Sequence, residues 1–329
     1  MNMKNIVCYS RCGCKVYLSA DKYILDAVNF QLKKFFNIQY VDAIAKDEWS
    51  VLVEKNNIKY QSLHLEYVLL KQVPEPDISV YFSGEKKLIG LLLENNCEWQ
   101  IQNIIRFVRV ILRMLCQERG HLFLHGGFVQ YKSKGICILG AKKVGKTSTI
   151  LSLLKDYKVD FISNDDVSVY YKDGKWIGEG WPRSVVIRQD TWNKFEEVNC
   201  KLRHPLNKNS SDPCFYPEQL CDIFRRQLLV RAEVNYIVFP VFSSRSLLRV
   251  LNQDEACTRI EKNFLSNPGK YNEYLLEYFT DNSGLMKREF INYSKNILCI
   301  ELCQNFEKLN EGTTLLIDYL DKNIGNDIR

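Results

Sequence analysis

The segment from Gly135 to Asp166 constrains this chain more than any other. Gly135-Ile136-Cys137-Ile138-Leu139 is an apolar run of strand length, and Thr147 to Lys155 carries Ile150, Leu151, Leu153 and Leu154 at helical spacing. Between them, Gly140-Ala141-Lys142-Lys143-Val144-Gly145-Lys146-Thr147 matches G-x-x-x-x-G-K-[ST]. A second apolar run, Asp160-Phe161-Ile162-Ser163, leads through Asn164 into the paired carboxylates Asp165-Asp166. Strand, glycine loop, helix and strand in that order predict an α/β fold with a phosphate-holding loop. In such a loop the backbone N–H groups from Gly140 to Ser148 and the helix N-terminus hold phosphate oxygens. Lys146 is then expected to neutralise the β- and γ-phosphates, and Thr147 to ligate Mg²⁺. The predicted ligand is a nucleoside triphosphate, with ATP and Mg²⁺ as the cofactors.

At 329 residues the chain has room for two domains. Its 45 basic and 39 acidic residues give a net charge of +6, too mild and too dispersed to mark a nucleic-acid binder. The segment Met1 to Cys8 lacks the apolar core of a signal peptide. The longest greasy stretch, Ile101 to Cys116, is interrupted by Arg106, Arg109 and Arg113, so no run approaches the ~20 residues that span a bilayer. The 12 cysteines are scattered along the chain, which suits buried thiols in a reducing cytoplasm. Cys8, Cys12 and Cys14 form the one local cluster, and their spacing fits a hairpin better than a zinc pattern. These features predict a cytoplasmic protein with no membrane and no nucleic-acid partner; homo-oligomers are compatible with the sequence.

Residues 4–20 read as a hairpin turned at Arg11-Cys12-Gly13, followed by an amphipathic helix over 21–35. Short strands are predicted at 38–43, 49–54, 57–61, 79–83 and 87–93, with 64–73 ambiguous. Residues 1–95 are therefore expected to form a small α+β domain, a candidate for acceptor recognition. A helix over Trp99 to Gln117 is expected to connect it (96–119) to the loop-bearing domain, 120–329. In the second domain a hairpin is predicted around Asp173-Gly174, and strands at 184–188, 235–240, 247–251 and 298–303. Helices are predicted at 189–197, 253–265, 283–295 and 306–322. Residues 199–217, rich in Asn, Ser and Pro, read as a lid-like loop or an unstructured insert.

His125 precedes the loop by 15 residues in a strand-like stretch. A hairpin turning at Lys132-Ser133-Lys134 would pair residues summing to about 266, setting His125 opposite Ala141 and beside a bound phosphate. The strand ending at Asp166 would run parallel to Gly135–Leu139, opening at the sheet edge where ligands of α/β folds bind. One carboxylate there could complete a Mg²⁺ shell and the other orient an acceptor hydroxyl; a turn or cap role for the pair is the alternative. Glu179 and Arg183, after the next hairpin, are further candidates for the metal shell and for a phosphate or carboxylate clamp, although surface turn residues would look the same.

Leu124-His125-Gly126, Gly140 to Thr147 and Asp165-Asp166 resemble, in order and near-equal spacing, the HPr kinase/phosphorylase-like family of the phosphoenolpyruvate carboxykinase-like group. The resemblance covers about 121–190, extends more loosely through Ile237-Val238-Phe239-Pro240 to the C-terminus, and does not reach residues 1–95. It implies an HPr kinase-like P-loop domain with a mixed sheet. It also implies His125 near the transferred phosphate, Asp165 as base and Asp166 as metal ligand, with the last two roles exchangeable. Lys143 stands where the family usually has glycine, which predicts an unusual backbone angle or an additional phosphate contact. The glycine-rich signature tied to phosphorylase activity is missing after Asp166, so the resemblance points toward the kinases of small ribosomal peptides or of free serine. The expected activity is transfer of a γ-phosphoryl group to a Ser/Thr hydroxyl of a peptide or protein, with His125, Lys146 and Asp165 catalytic. A nucleotide-binding regulatory module, a plain NTPase and a free amino acid kinase are the alternatives.

Overall fold

The computed structural model describes residues 5–71, 77–92, 98–195, 212–266 and 273–326. Most of the predicted 199–217 loop lies outside these residues. The chain divides into two compact units, one of residues 1–120 with 267–282, the other of 121–266 with 283–329.

The first unit opens with a hairpin of β1 (Asn5–Arg11) and β2 (Cys14–Ala20), then α1 (Lys22–Leu32) and β3 (Asn37–Val41). It continues with β4 (Ser50–Glu54), α2 (Ile58–Ser62), β5 (Glu66–Leu70), β6 (Ile78–Ser83), β7 (Leu88–Leu92) and α3 (Glu98–Glu118). The strands form a seven-stranded mixed sheet in the order β3-β1-β2-β4-β7-β6-β5. The run 57–61, expected as a strand, is the short helix α2. Tyr60 explains the difference: its hydroxyl donates to the carbonyls of Leu52 (2.9 Å) and Leu91 (2.8 Å), a tertiary anchorage that no local pattern encodes. Its ring lies over Gly90, where a Cβ would come within 2.6 Å. The ambiguous 64–73 contains the edge strand β5. Helix α3, expected as a connector, packs on α1, β1, β2 and β4 within this unit. A segment from late in the chain also belongs to it: Phe279 stacks on Trp49 at 5.0 Å, and Tyr274 and Tyr278 meet Phe82 edge-on.

The second unit is built on two long strands, β8 (Leu122–Tyr131) and β15 (Arg231–Phe242), each shared by two sheets. One sheet has the order β10-β8-β9-β15-β17-β16, with β9 (Lys134–Leu139), β10 (Val159–Ser163), β16 (Leu247–Val250) and β17 (Leu298–Gln304). The other has the order β8-β11-β12-β15, with β11 (Asp166–Lys172) and β12 (Lys175–Gly180). A pair of short strands, β13 (Val185–Val186) and β14 (Cys214–Phe215), stands apart. The helices are α4 (Lys146–Asp156), α5 (Gln189–Trp192), α6 (Pro217–Phe224), α7 (Gln253–Glu261), α8 (Ser283–Ser294) and α9 (Leu309–Asn326). Leu151, Leu154, Leu316 and Leu320 join α4 and α9 in one buried cluster with Ile138 and Val238 of the first sheet. A second cluster joins Ile260 of α7 and Phe290 of α8 to Trp176 and Phe128. The mixed α/β architecture agrees with the predicted class.

The hairpin of β8 and β9 turns on Lys132 and Ser133 alone, both with positive φ (46° and 65°). This two-residue turn pairs Tyr131 with Lys134 and Gly126 with Leu139, a register sum of 265. His125 is therefore one position short of the expected alignment with Ala141. Strand β10 does run parallel to β9, but β8 lies between them.

Candidate functional site

The glycine loop spans the gap between the end of β9 and the start of α4. Gly145 precedes the helix in a left-handed conformation (φ 105°), and no side chain among the described residues caps the helix. The first amides of α4 thus have neither an intrahelical acceptor nor a capping oxygen, which makes that end a donor site for an anion. A Cβ on Gly145 would run into Nε2 of Gln304 and come within 3.0 Å of the Phe242 ring, so one of these side chains would have to shift. Gln304 is fully buried at the end of β17 and bonds the Thr149 hydroxyl, which itself donates to the Gly145 carbonyl at 2.9 Å. The β15 and β17 ends therefore brace the loop from behind. Lys143 has φ +75°, the unusual backbone angle its side chain predicts at a glycine position. Ala141, Lys142 and Lys143 are exposed, and Val144 is half-buried.

Lys146 begins α4 and is 6% exposed, yet its ammonium makes three polar contacts. Nζ donates to the carbonyls of Gly140 (2.7 Å) and Ala141 (2.9 Å) and lies 3.2 Å from Nε2 of His125. His125 reaches it from β8, where it pairs with Asp166 of β11 and its N–H donates to the Asn263 carbonyl at 2.8 Å. His125 thus lies beside the lysine of the loop and pairs with Asp166 of β11, whereas the predicted alignment with Ala141 is not formed. Burial pushes the His125 imidazole below its ordinary value, and the Lys146 ammonium beside it pushes it further in the same direction. Burial likewise lowers Lys146, while the Asp165 carboxylate opposes that shift.

The strand β10 ends in a kink that delivers Asn164, Asp165 and Asp166. Asp165 takes a left-handed backbone angle (φ 84°) and is half-buried. Asp166 is 2% exposed, and its Oδ1 lies 3.2 Å from Nη1 of Arg183, whose side chain is 45% exposed. Asp166 holds the Arg183 guanidinium above its ordinary value, with Asp165 adding to the effect. Thr147 donates its hydroxyl to Oδ1 of Asn164 at 3.1 Å, while Nδ2 of Asn164 is buried without a hydrogen-bond partner among the described residues. Ser148 turns its hydroxyl toward that of Thr191, 3.2 Å away.

The structure therefore gathers His125, Lys146, Thr147, Asp165 and Asp166 around one end of α4. Arg183 proves to be part of this group, on Asp166. Glu179 is buried in β12 and accepts from the Tyr170 hydroxyl at 3.2 Å. Asn164, Asn263 and Gln304 escaped sequence reasoning. Asn164 carried a signal, its place beside the two carboxylates, whereas nothing local marked the other two.

No known family model matches this chain, and no curated protein matches it. Among solved structures, the Hpr(Ser) kinase/phosphatase from Coxiella burnetii is similar at 11% identity, over 61% of this chain and 97% of that one, with a TM-score of 0.30. A likeness at that level carries no inference about activity. The chemistry of the site rests on its residues.

Proposed function

We propose that the protein is an ATP- and Mg²⁺-dependent kinase that transfers the γ-phosphoryl group to a Ser/Thr hydroxyl of a peptide or protein. The observation that carries this reading is the 3.2 Å approach of Lys146 Nζ to His125 Nε2 at the uncapped end of α4. With Asp165 and Asp166 on the adjoining strand, cationic donors and hard oxygen ligands lie side by side.

The donor set fits a polyphosphate: backbone amides, a desolvated ammonium and an imidazole. The set also fits Mg²⁺, which takes carboxylate and hydroxyl oxygens and retains several waters. Thr147 and Asp166 would hold the metal, Thr147 by turning its hydroxyl from Asn164 and Asp166 by sharing or releasing Arg183. Bound MgATP supplies the activated phosphoryl group. Lys146 and the loop amides stabilise the charge that develops on it, the largest source of catalysis in this reaction class. His125, whose neutral form is favoured by burial and by Lys146, would contact the phosphoryl oxygens with less repulsion among cations than an imidazolium. Asp165 orients the acceptor hydroxyl and receives its proton. A separate unit with its own seven-stranded sheet favours a bulky acceptor over a free amino acid.

Incubation with γ-labelled ATP and candidate peptides, followed by mass spectrometry, tests the proposal. A phosphate gained on a Ser or Thr is expected from the wild type. Lys146→Ala should reduce the rate by on the order of 10²–10³-fold, the loss typical of removing one preorganised donor. Asp165→Asn should abolish transfer while preserving ATP binding. Free phosphate with no labelled acceptor, or full transfer by either variant, would overturn the assignment.

A further inference from the structure

Within the first unit, thiols that the sequence keeps far apart come together. Cys12 lies in the β1–β2 turn, Cys14 opens β2, and Cys116 lies in the last turn of α3. Positive φ at Cys12 (52°) and Gly13 (76°) closes the turn so that Arg11 pairs with Cys14, which sets Cys14 at the tip of the hairpin. Cys14 and Cys116 are 102 positions apart, yet the Cys116 thiol donates to the Cys14 sulfur across 3.8 Å. The sulfurs of Cys12 and Cys116 lie within 4.8 Å. None of the three is in a disulfide.

Buried thiols that only fill space are inert and hard to ionise. This pair is asymmetric. The hydrogen bond from Cys116 draws the Cys14 thiol below its ordinary value against the effect of burial, and the positive charge of Arg119 adds to the lowering. Hydrogen bonds with Cys12 and Cys14, and then burial, push Cys116 well above its ordinary value. Arg119 follows α3, donates to the Cys12 carbonyl at 3.1 Å, and sets its guanidinium where a Cβ on Gly13 would stand. One sulfur is thus the easier to ionise, and the other keeps its proton beside it. Cys14 is 3% exposed and Cys116 not at all, so an oxidant from solvent meets Cys14 first. We propose that Cys14 and Cys116 are a peroxide-reactive pair, in which Cys14 is attacked first and Cys116 resolves it into a disulfide.

The Cys14 thiolate, its proton given to solvent, attacks one oxygen of hydrogen peroxide. An S–O bond forms, the O–O bond breaks, and hydroxide leaves and takes up a proton as water. The Cys116 sulfur then attacks Cys14. The S–S bond forms, the S–O bond breaks, and the departing hydroxyl takes the Cys116 proton as a second water. Two electrons pass from the sulfurs to the peroxide. The sulfurs need only close from 3.8 Å to the disulfide length of about 2.05 Å. The new bond ties the tip of the first hairpin to the end of α3 and restricts the unfolded chain.

The test uses the full-length protein, reduced, freed of reductant and exposed to hydrogen peroxide for increasing times before the remaining thiols are alkylated. Mass spectrometry without reduction is expected to show two fewer alkylated cysteines than in the unexposed chain, with Cys116 joined to Cys14. Dithiothreitol should reverse the link. Cys14→Ser should lose it and Cys12→Ser should keep it, while Cys116→Ser should leave a sulfenic acid on Cys14 that dimedone captures. Because a buried serine can weaken the fold, the wild type also decides alone: fragmentation of its cross-linked peptide is expected to place the alkyl group on Cys12. A Cys12–Cys116 link in place of Cys14–Cys116, or oxidation of the half-buried Cys257 before any link forms, would overturn the proposal.

Discussion

The imidazole of His125 is shaped by where β8 sets it. Burial and the Lys146 ammonium both favour its neutral form, so its value in the folded protein lies below the ordinary 6.5. As pH falls below 6.5 the unfolded chain takes up this proton before the folded one does, and stability is lost over that interval. His125→Gln removes the titration, so the variant should lose less stability than the wild type between pH 7 and pH 5. Denaturant unfolding at the two pH values measures it, and parallel losses in both proteins would contradict this electrostatic reading. Single residues were unevenly legible. At Lys143 the resemblance implied an unusual backbone angle or an extra phosphate contact, and the first is present, with φ of +75°. The role of Gln304 could not be, since its partners Gly145 and Thr149 lie more than 150 residues earlier and meet it only when β17 aligns beside β15.

Turns and strand ends decide where the site residues lie. The Asp173-Gly174 turn is legible because Asp and Gly tolerate the paired positive φ of a two-residue hairpin, and the hairpin follows (φ 50° and 80°). Lys132-Ser133 adopts the same geometry with no such residue. It is held by Lys132 Nζ on Asp321 at 2.8 Å and by Tyr131 on the same carboxylate, contacts to α9 that the local sequence does not announce. That single turn accounts for the register difference at His125. Two glycines with positive φ separate local strain from loop support. Gly145→Ala meets Gln304 and Phe242, whereas Gly174→Ala meets nothing within 4 Å among the described residues. Each should lose about 1–2 kcal/mol to the left-handed backbone. Gly145→Ala should lose more than that and also weaken ATP binding. Equal unfolding free energies for the two variants, or unchanged ATP affinity by calorimetry in Gly145→Ala, would contradict the bracing of the loop by β15 and β17.

At the scale of the whole chain, the order of elements conceals how the first unit is completed. The pattern of residues 1–95 announces a small α+β body, and most of its strands are where alternation puts them. Nothing in that pattern shows that the aromatic face formed by Trp49 and Phe82 is covered by residues arriving after β16 and α7. Leu275 is fully buried in that late segment, and the backbone of Thr280 donates to Glu118 Oε1 at 2.9 Å, fastening the segment to the end of α3. If the segment is part of the first unit's core, then Leu275→Ala should cost about 2–5 kcal/mol, as for other fully buried leucines. The loss should fall on distant strands. Hydrogen exchange should show faster opening in β4 and β6, more than 190 residues away in sequence, while β9 and α4 keep their protection. A change confined to the neighbourhood of residue 275 would mean that the segment only lies on the unit and does not help to hold it together. Continuity along the chain would then be the better guide to its stability than these contacts.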